Sequence, residues 1–425
     1  MKIIGKNLNM SSPLRKLWIH FCDDSLFRNS IYLMLSTCIM AGFGFFFWIM
    51  IARLYTTEQI GLATTMISII GLITSFSLLG LNIGLIRFLP KSKKRNEQIN
   101  TCFSVTTLAT LIILAIFLFG LKIFSPRLLF INENPYYILF FIFFAVFSTS
   151  DNLIENIFIA FRNTKFILIK NTVFSILKFV LPFFLISLGA FGILSSYMGA
   201  LMIGFSISFI ILIRKLEYKP RLIIHRVTVR EIGRYSFGNY VASFISNLPA
   251  MVLPLMITNI LKPEITAYYY MSMMIVSILF IIPGATTQSL FAEGSHNEEG
   301  MKQHIRKAVK IIAALLIPAI LITVFFGQYI LLAFGKNYSS GGYTFLQILA
   351  FSGIFISINS IFGTILRVER KIKKMIFINF LGALSILGLS FLFISKGLLG
   401  IGFAWILGHG MVSLIYYLTY KWQKN

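Results

Sequence analysis

The chain has 425 residues, of which 57% are hydrophobic and only 12% are charged. A soluble domain has about a quarter of its residues charged, so this composition excludes an ordinary soluble globular protein. The formal net charge of +24 would suit a nucleic-acid-binding protein if the basic residues formed one patch. They form short groups between apolar segments instead, which is typical of multispanning membrane proteins, so we expect no nucleic-acid partner.

Twelve apolar segments follow a basic leader at 1–29, and each is long enough to cross a bilayer as a helix of about 20 residues. Unbroken apolar runs differ from the alternating strands of a membrane barrel, so the predicted fold class is an all-α polytopic membrane protein. The first six segments are 30–52, 60–86, 102–121, 136–160, 166–188 and 193–213. A basic connector at 214–234 precedes the other six, 235–260, 266–290, 308–334, 343–366, 375–394 and 401–420, and 421–425 form a tail.

Lysine and arginine are distributed unequally between alternate loops. The leader, the connector and the loops on their side carry 29 of these residues, whereas the opposite loops carry six. Because cytoplasmic loops are enriched in Lys and Arg, we expect both termini to be cytoplasmic.

The connector divides the chain into two predicted six-helix lobes, 30–213 and 235–420. The sequence IENIF at 154–158 matches INSIF at 358–362, and each precedes a basic loop by a few residues. Because six is an even number of spans, both lobes begin on the same side of the membrane and have the same orientation in it. The pattern therefore predicts two pseudo-symmetric lobes related by an axis along the membrane normal.

Neither a metal site nor a nucleophilic site is indicated by the sequence. The three cysteines, Cys22, Cys38 and Cys102, have no metal-ligand spacing, and the five histidines are scattered. The outer loops are too short for an external catalytic domain and contain no cluster of acids and bases. We therefore expect a transporter that has no cofactor, and not an enzyme.

Ionisable side chains inside predicted spans mark candidate functional positions, because charge at membrane depth is costly. Asp151 and Glu155 lie on one face of the fourth helix, and Lys170 and Lys178 lie in the fifth. A hairpin of these helices would put Asp151 and Lys178 at similar depth, with Lys170 reaching towards the interface. Two interpretations stay open: a structural ion pair, or a water-filled cavity for an anionic headgroup or a coupling ion.

Four arginines near helix ends, together with Lys178, form a candidate substrate-binding set. Arg28, Arg53, Arg87 and Arg234 would suit a diphosphate if they ringed a central cavity, since guanidinium groups bind phosphate through two parallel hydrogen bonds. The alternative is that they only anchor the topology.

Four fragments carry a family resemblance. They are ARLYTTEQIGLATTMISIIGLITSFSLLGLNIGLIRFLPK at 52–91, QSLFAEGS at 288–295, LLAFGKNYSSGG at 331–342 and LRVERKIKK at 366–374. Together they resemble Wzx-type polysaccharide flippases of the multidrug/oligosaccharidyl-lipid/polysaccharide (MOP) exporter superfamily, whose members have a two-lobed MATE-like fold. The resemblance covers nearly the whole chain, but it transfers no tight catalytic motif.

The resemblance implies a flippase for a lipid-linked oligosaccharide, usually carried on undecaprenyl diphosphate, in the inner membrane of a bacterium. It implies alternating access for O-antigen, capsule or other surface polysaccharide synthesis, beside membrane lipids and with a polysaccharide polymerase and a chain-length regulator as partners. It leaves open a peptidoglycan-precursor flippase, which would differ only in substrate.

Two other functions compete with this one. A cation-coupled multidrug exporter of the same superfamily should have a carboxylate deep in an early helix, and the first three predicted spans have none. Asp151 and Glu155 of the fourth span keep the exporter open. A membrane polysaccharide polymerase or ligase should have a large outer loop with Arg, His or acidic residues, and this feature is missing from the sequence.

Overall fold

A computed structural model describes residues 25–296, 301–369 and 371–421, and all regular secondary structure within them is helical. Most of the predicted leader and tail therefore lies outside the described residues. The long helices are α1 Ser25–Leu54, α2 Thr57–Ser77, α3 Arg95–Phe119, α4 Pro135–Ala160, α5 Lys165–Val180, α6 Gly189–Leu216, α7 Arg226–Ile260, α8 Pro263–His296, α9 Met301–Leu332, α10 Lys336–Val368, α11 Ile372–Phe393 and α12 Gly397–Lys421.

Eleven segments of the described chain are long and apolar enough to cross a membrane, and the last of them, Ile372–Thr419, contains both α11 and α12. The predicted all-α multispanning fold of about twelve helices is confirmed. Local signals set some helix ends. Thr56 and Gln59 form a reciprocal capping box at the start of α2, and Asn134 caps α4 ahead of Pro135.

The two lobes have the same pattern of helix contacts, which confirms the predicted pseudo-symmetry. In the first lobe, α5 contacts α1 and α6, α4 contacts α3 and α6, and α2 contacts α3, α4 and α6. Adding six to each helix number gives pairs that are also in contact in the second lobe.

The second predicted span, 60–86, is wrong as one continuous helix. Helix α2 ends at Ser77, and a short helix, Leu81–Phe88, follows a turn in which Leu79 and Gly80 have φ angles of 49° and 78°. A left-handed backbone conformation at two successive residues cannot continue an α-helix. Apolar periodicity alone did not reveal this break.

The predicted connector at 214–234 is mostly helical. Helix α6 extends to Leu216 and α7 begins at Arg226, so only 217–225 form a non-helical connector segment. We call the side of the molecule that carries this segment the connector face, and the other side the opposite face. Even-numbered helices run towards the connector face, and odd-numbered helices run away from it.

The hydrophobic core is divided differently at the two faces. In the half next to the opposite face, one continuous cluster joins both lobes and includes Phe47, Ile70, Phe141, Tyr269 and Phe345. In the half next to the connector face, one cluster fills the first lobe and takes in Ile232 of α7, and two other clusters fill the second lobe. The lobes are thus joined by packing at one face and largely separate at the other.

Candidate functional site

A buried ion cluster lies between α4 and α5, inside the first lobe. The Lys170 ammonium donates to Asp151 Oδ2 and to Glu155 Oε1, each at 2.6 Å. Lys170 is only 4% exposed, and within the described chain Asp151 Oδ1 has no hydrogen-bond partner. One cation thus faces two carboxylates, and one carboxylate oxygen still has capacity to accept a proton or a hydrogen bond.

The predicted pairing of Asp151 with Lys178 is wrong, because Lys170 takes this position. The chain reverses between α4 and α5 at Arg162, which has φ 55°. At 1.5 Å per residue from Arg162, Asp151 lies at a depth of about 16 Å, Lys170 at about 12 Å and Lys178 at about 24 Å. Lys170 is therefore closer in depth to Asp151 and, instead of reaching to the interface, is buried between the two helices.

Lys178 lies farther along α5 in an aromatic environment. Its Nζ is 4.9 Å from the ring centre of Phe174, 5.5 Å from that of Phe47 and 5.8 Å from that of Tyr197. Among the described residues no carboxylate lies within 4.0 Å of it, and it is 4% exposed. Cation–π contacts offset part of the cost of burying this charge. The two carboxylates of the ion cluster and the two lysines, Lys170 and Lys178, therefore have a summed formal charge of zero.

The four arginines of the candidate set do not form one ring. Arg28 is exposed at the start of α1, whereas Arg53 is near its other end, about 37 Å away along the helix. Arg87 is exposed on the short helix at the connector face. The side chain of Arg234 lies outside the described residues. Lys178 is enclosed within the first lobe, apart from all of these positions.

Near the opposite face, close backbone contacts tie the two lobes together. A Cβ added to Gly61 of α2 would overlap the carbonyl oxygen of Pro263 at the start of α8. The hydroxyl of Thr258 on α7 forms hydrogen bonds with those of Thr65 and Thr266.

Helix α1 contacts the second lobe through side chains near the same face. Arg53 donates to the carbonyl of Ala333 at 3.0 Å, directly after α9, and so satisfies a helix C-terminus across the lobe boundary. The rings of Trp48 and Tyr270 are 4.8 Å apart, and those of Phe45 and Phe334 are 5.5 Å apart. All of these contacts of α1 come from its half next to the opposite face.

At the connector face, the described residues bring the lobes together on one side, through α7. A Cβ on Gly84 of the short helix would overlap Ile232 and lie 2.7 Å from Ser236 Oγ, so α7 approaches this helix as closely as glycine allows. Ile232 also belongs to the core of the first lobe. Under the pseudo-symmetry, the counterpart of this packing would lie between α1 and the second lobe. The described part of α1 makes no comparable contact with the second lobe at this face, so the gap between the lobes, which we call the cleft, is closed beside α7 and open beside α1.

The structure reveals polar residues in the second lobe that the sequence had not singled out. A cavity of about 220 Å³ lies between α7, α10, α11 and α12, and its lining includes Asn359, Asn379, His409 and Arg367. A second cavity of about 390 Å³ shares Arg367 and Asn379 with it. The match of IENIF with INSIF is the signal that could have found Asn359, since it aligns this residue with Glu155.

Comparison with known families gives two matches. The model of polysaccharide biosynthesis proteins matches residues 26–291, which is more than half of the chain. The MatE model matches residues 240–394 of the second lobe. No curated protein sequence matches the chain.

Solved structures with the same fold cover almost the whole chain. The lipid II flippase MurJ, in an inward closed conformation, has a TM-score of 0.74 at 13% identity, covering 92% of this chain and 87% of that one. An inward-facing multidrug resistance MATE family transporter of the MOP superfamily has a TM-score of 0.68 at 14% identity, covering 93% and 98%. An outward-facing transporter of that family has 0.64 at 14%, covering 94% and 95%.

Proposed function

Because the chain belongs to the family of polysaccharide biosynthesis proteins, we propose that it is a flippase for a lipid-linked oligosaccharide. The substrate is a repeat unit carried on undecaprenyl diphosphate. It moves from the cytoplasmic to the outer leaflet of a bacterial inner membrane, for O-antigen, capsule or another surface polysaccharide. The protein acts as a transporter and not as an enzyme.

The division of the hydrophobic core is the observation that carries this proposal. One core joins both lobes next to the opposite face, whereas separate cores fill the lobes next to the connector face. A two-lobed transporter that is closed on one side and able to separate on the other has the geometry for alternating access. The inner halves of α1 and α8 border the side where the lobes do not pack together, so we place substrate entry there.

The orientation follows from charge. The connector face carries the Lys- and Arg-rich loops, so it is cytoplasmic and both termini lie there. In this orientation Arg28 and Arg87 lie at the cytoplasmic end, where the diphosphate begins its passage. Arg53 has a different role, since it holds the outer contact between the lobes together.

The interior charges of the first lobe provide the electrostatic part of transport. Lys178 attracts the anionic headgroup, and the cluster of Asp151, Glu155 and Lys170 supplies the site for a coupling ion or proton. Asp151 Oδ1, which accepts no hydrogen bond from the described residues, supports this role because it leaves an acceptor for a proton or an ion. A polymerase and a chain-length regulator would take over the product on the outer side.

The test is complementation of a deletion strain. Loss of the gene should remove a surface glycan and accumulate undecaprenyl-linked repeat units on the cytoplasmic side. Wild type should restore the glycan, and Lys178→Met should not, because it keeps the length of the side chain but loses the charge. Lys396→Met is the matched control, since Lys396 also lies over an aromatic ring but is exposed.

The outcomes separate the proposals. Rescue by wild type and Lys396→Met alone supports the flippase and the role of Lys178. Rescue by all three proteins would show that the charge of Lys178 is not needed for transport and that the residue contributes only to packing. A persistent glycan with increased drug sensitivity would replace the flippase by a multidrug exporter, which the MatE match of the second lobe and the acids of α4 favour as second candidate.

A further inference from the structure

A basic pocket on the connector face lies apart from the cleft between the lobes. It has a volume of about 870 Å³ and is formed by the loop before α3, the first turns of α3 and the connector segment 217–225. Phe161 at the end of α4 and Leu216 at the end of α6 complete its wall. None of the helices that flank the cleft, α1, α2, α7 and α8, contributes a residue to this lining.

Buried polar side chains of α3 build the floor of the pocket. Asn100, which is 2% exposed, donates to the carbonyl of Lys219 at 2.9 Å and accepts from the backbone N–H of Arg221 at 2.9 Å and from the hydroxyl of Tyr218 at 2.6 Å. Thr101 accepts from the N–H of His225 at 3.2 Å. Burial raises the pKa of Tyr218 to about 12, so this hydroxyl stays a donor at physiological pH. These hydrogen bonds hold the connector segment against the start of α3.

The charge of the pocket favours an anion. Six basic residues line it against two glutamates, which gives a net charge of +4, and the basic residues are Lys91, Lys93, Lys94, Arg95, Lys219 and Arg221. Glu97 is already engaged by Lys94 at 3.3 Å and His225 at 3.2 Å. Helix α3 begins here without a side-chain cap, so its N-terminal N–H groups and the positive end of its dipole are open to the pocket.

Two apolar residues of the connector segment are exposed and do not line the pocket. Leu222 is 95% exposed, Ile224 is 52% exposed, and Ile223 between them lines the pocket. Val227, at the start of α7, adds a third exposed apolar side chain. Exposed apolar side chains next to a basic site are the signature of a segment that lies in the membrane interface.

We propose that this pocket binds the phosphate headgroup of an anionic phospholipid of the adjacent leaflet. The basic residues and the helix N-terminus hold the phosphate, while Leu222 and Ile224 contact the acyl chains. A basic pocket between helix ends at the membrane surface is the geometry that phosphate headgroups recognise. A soluble polyphosphate would satisfy the charge but would leave the apolar face of the connector segment exposed to water.

Lipid retention in nanodiscs tests the proposal. Wild type is compared with the triple variant Lys93→Gln, Lys219→Gln, Arg221→Gln in neutral phosphatidylcholine with added cardiolipin, and bound cardiolipin is counted by native mass spectrometry. The triple variant should bind cardiolipin on the order of 100-fold more weakly, since each basic residue near an anionic surface contributes about 1 kcal/mol. Lys302→Gln, Lys373→Gln, Lys374→Gln is the control, because it removes three exposed charges of the same face outside the pocket. If the control lost cardiolipin binding to the same extent, general surface charge would explain the binding and the proposal would be wrong.

A second variant separates lipid from free phosphate. Leu222→Asn with Ile224→Asn changes only exposed side chains, so folding should be unaffected. It should weaken cardiolipin retention and leave the binding of pyrophosphate, measured by calorimetry in detergent, unchanged. If wild type binds pyrophosphate tightly and this double variant retains cardiolipin fully, the site holds a soluble anion and the lipid proposal is wrong.

Discussion

The two lobes share one arrangement of helices and differ in what they bury at the same place. Glu155 of α4 faces Lys170, which also holds Asp151. Asn359 occupies the matching position of α10; there it donates to the carbonyl of His409 and accepts from the hydroxyl of Ser413.

The two lobes thus share a backbone arrangement but do not share the same buried charges. A buried ion cluster is costly unless every member is paired, whereas neutral amides and hydroxyls satisfy one another more cheaply. The two lobes therefore differ in their buried charge at this depth, and α7 contacts the first lobe on one side. We assign charge-dependent steps to the first lobe, and the following predictions test that division.

The largest effect is expected for Lys170→Met. This change leaves the buried Asp151 carboxylate and the partly exposed Glu155 carboxylate without their cation, so unfolding should become easier by about 3 kcal/mol. Thermal unfolding in detergent measures the loss. The neutral triple variant Lys170→Met, Asp151→Asn, Glu155→Gln should recover most of the stability. If the triple variant also transports normally, the cluster is structural only.

A smaller effect is expected where α7 meets the first lobe. Gly84→Ala should cost about 1–3 kcal/mol through overpacking, because the new methyl group would overlap Ile232. Gly71→Ala is the control, since no atom lies within 4 Å of a Cβ there. Thermal unfolding and cysteine accessibility along α7 would report the loosened contact. Equal behaviour of the two variants would contradict the one-sided attachment of α7.

The smallest effect is expected from exchanging the matching residues of the two lobes. Asn359→Glu puts a carboxylate in a cavity whose lining includes Arg367 but no lysine, and because this site is partly exposed the cost should be about 1 kcal/mol. Glu155→Asn should change stability less, since Lys170 keeps Asp151, but it should lower transport. Equal transport by both variants would show that the lobes are electrostatically interchangeable.

Composition, the spacing of apolar segments and the distribution of basic residues predicted much of this protein. They predicted an all-α membrane fold with about twelve spans in two lobes, and the structure has this fold. Four sequence fragments predicted the family, and the family match confirms it. These properties are readable because each depends on short windows of the chain and on the cost of placing polar groups in lipid. The charged residues of α4 and α5 could be identified from the sequence because charge inside an apolar segment is costly in lipid.

Only the tertiary structure decided which of those charges meet. Lys170 and Lys178 lie on one helix at different depths, and the turn at Arg162 determines that Lys170 reaches Asp151. Arg53 joined an interlobe contact instead of a cationic ring, and the break at Gly80 lies where the chain comes close to α7. Such contacts join residues far apart in sequence, and their energies depend on distances of a few ångströms that no local pattern encodes.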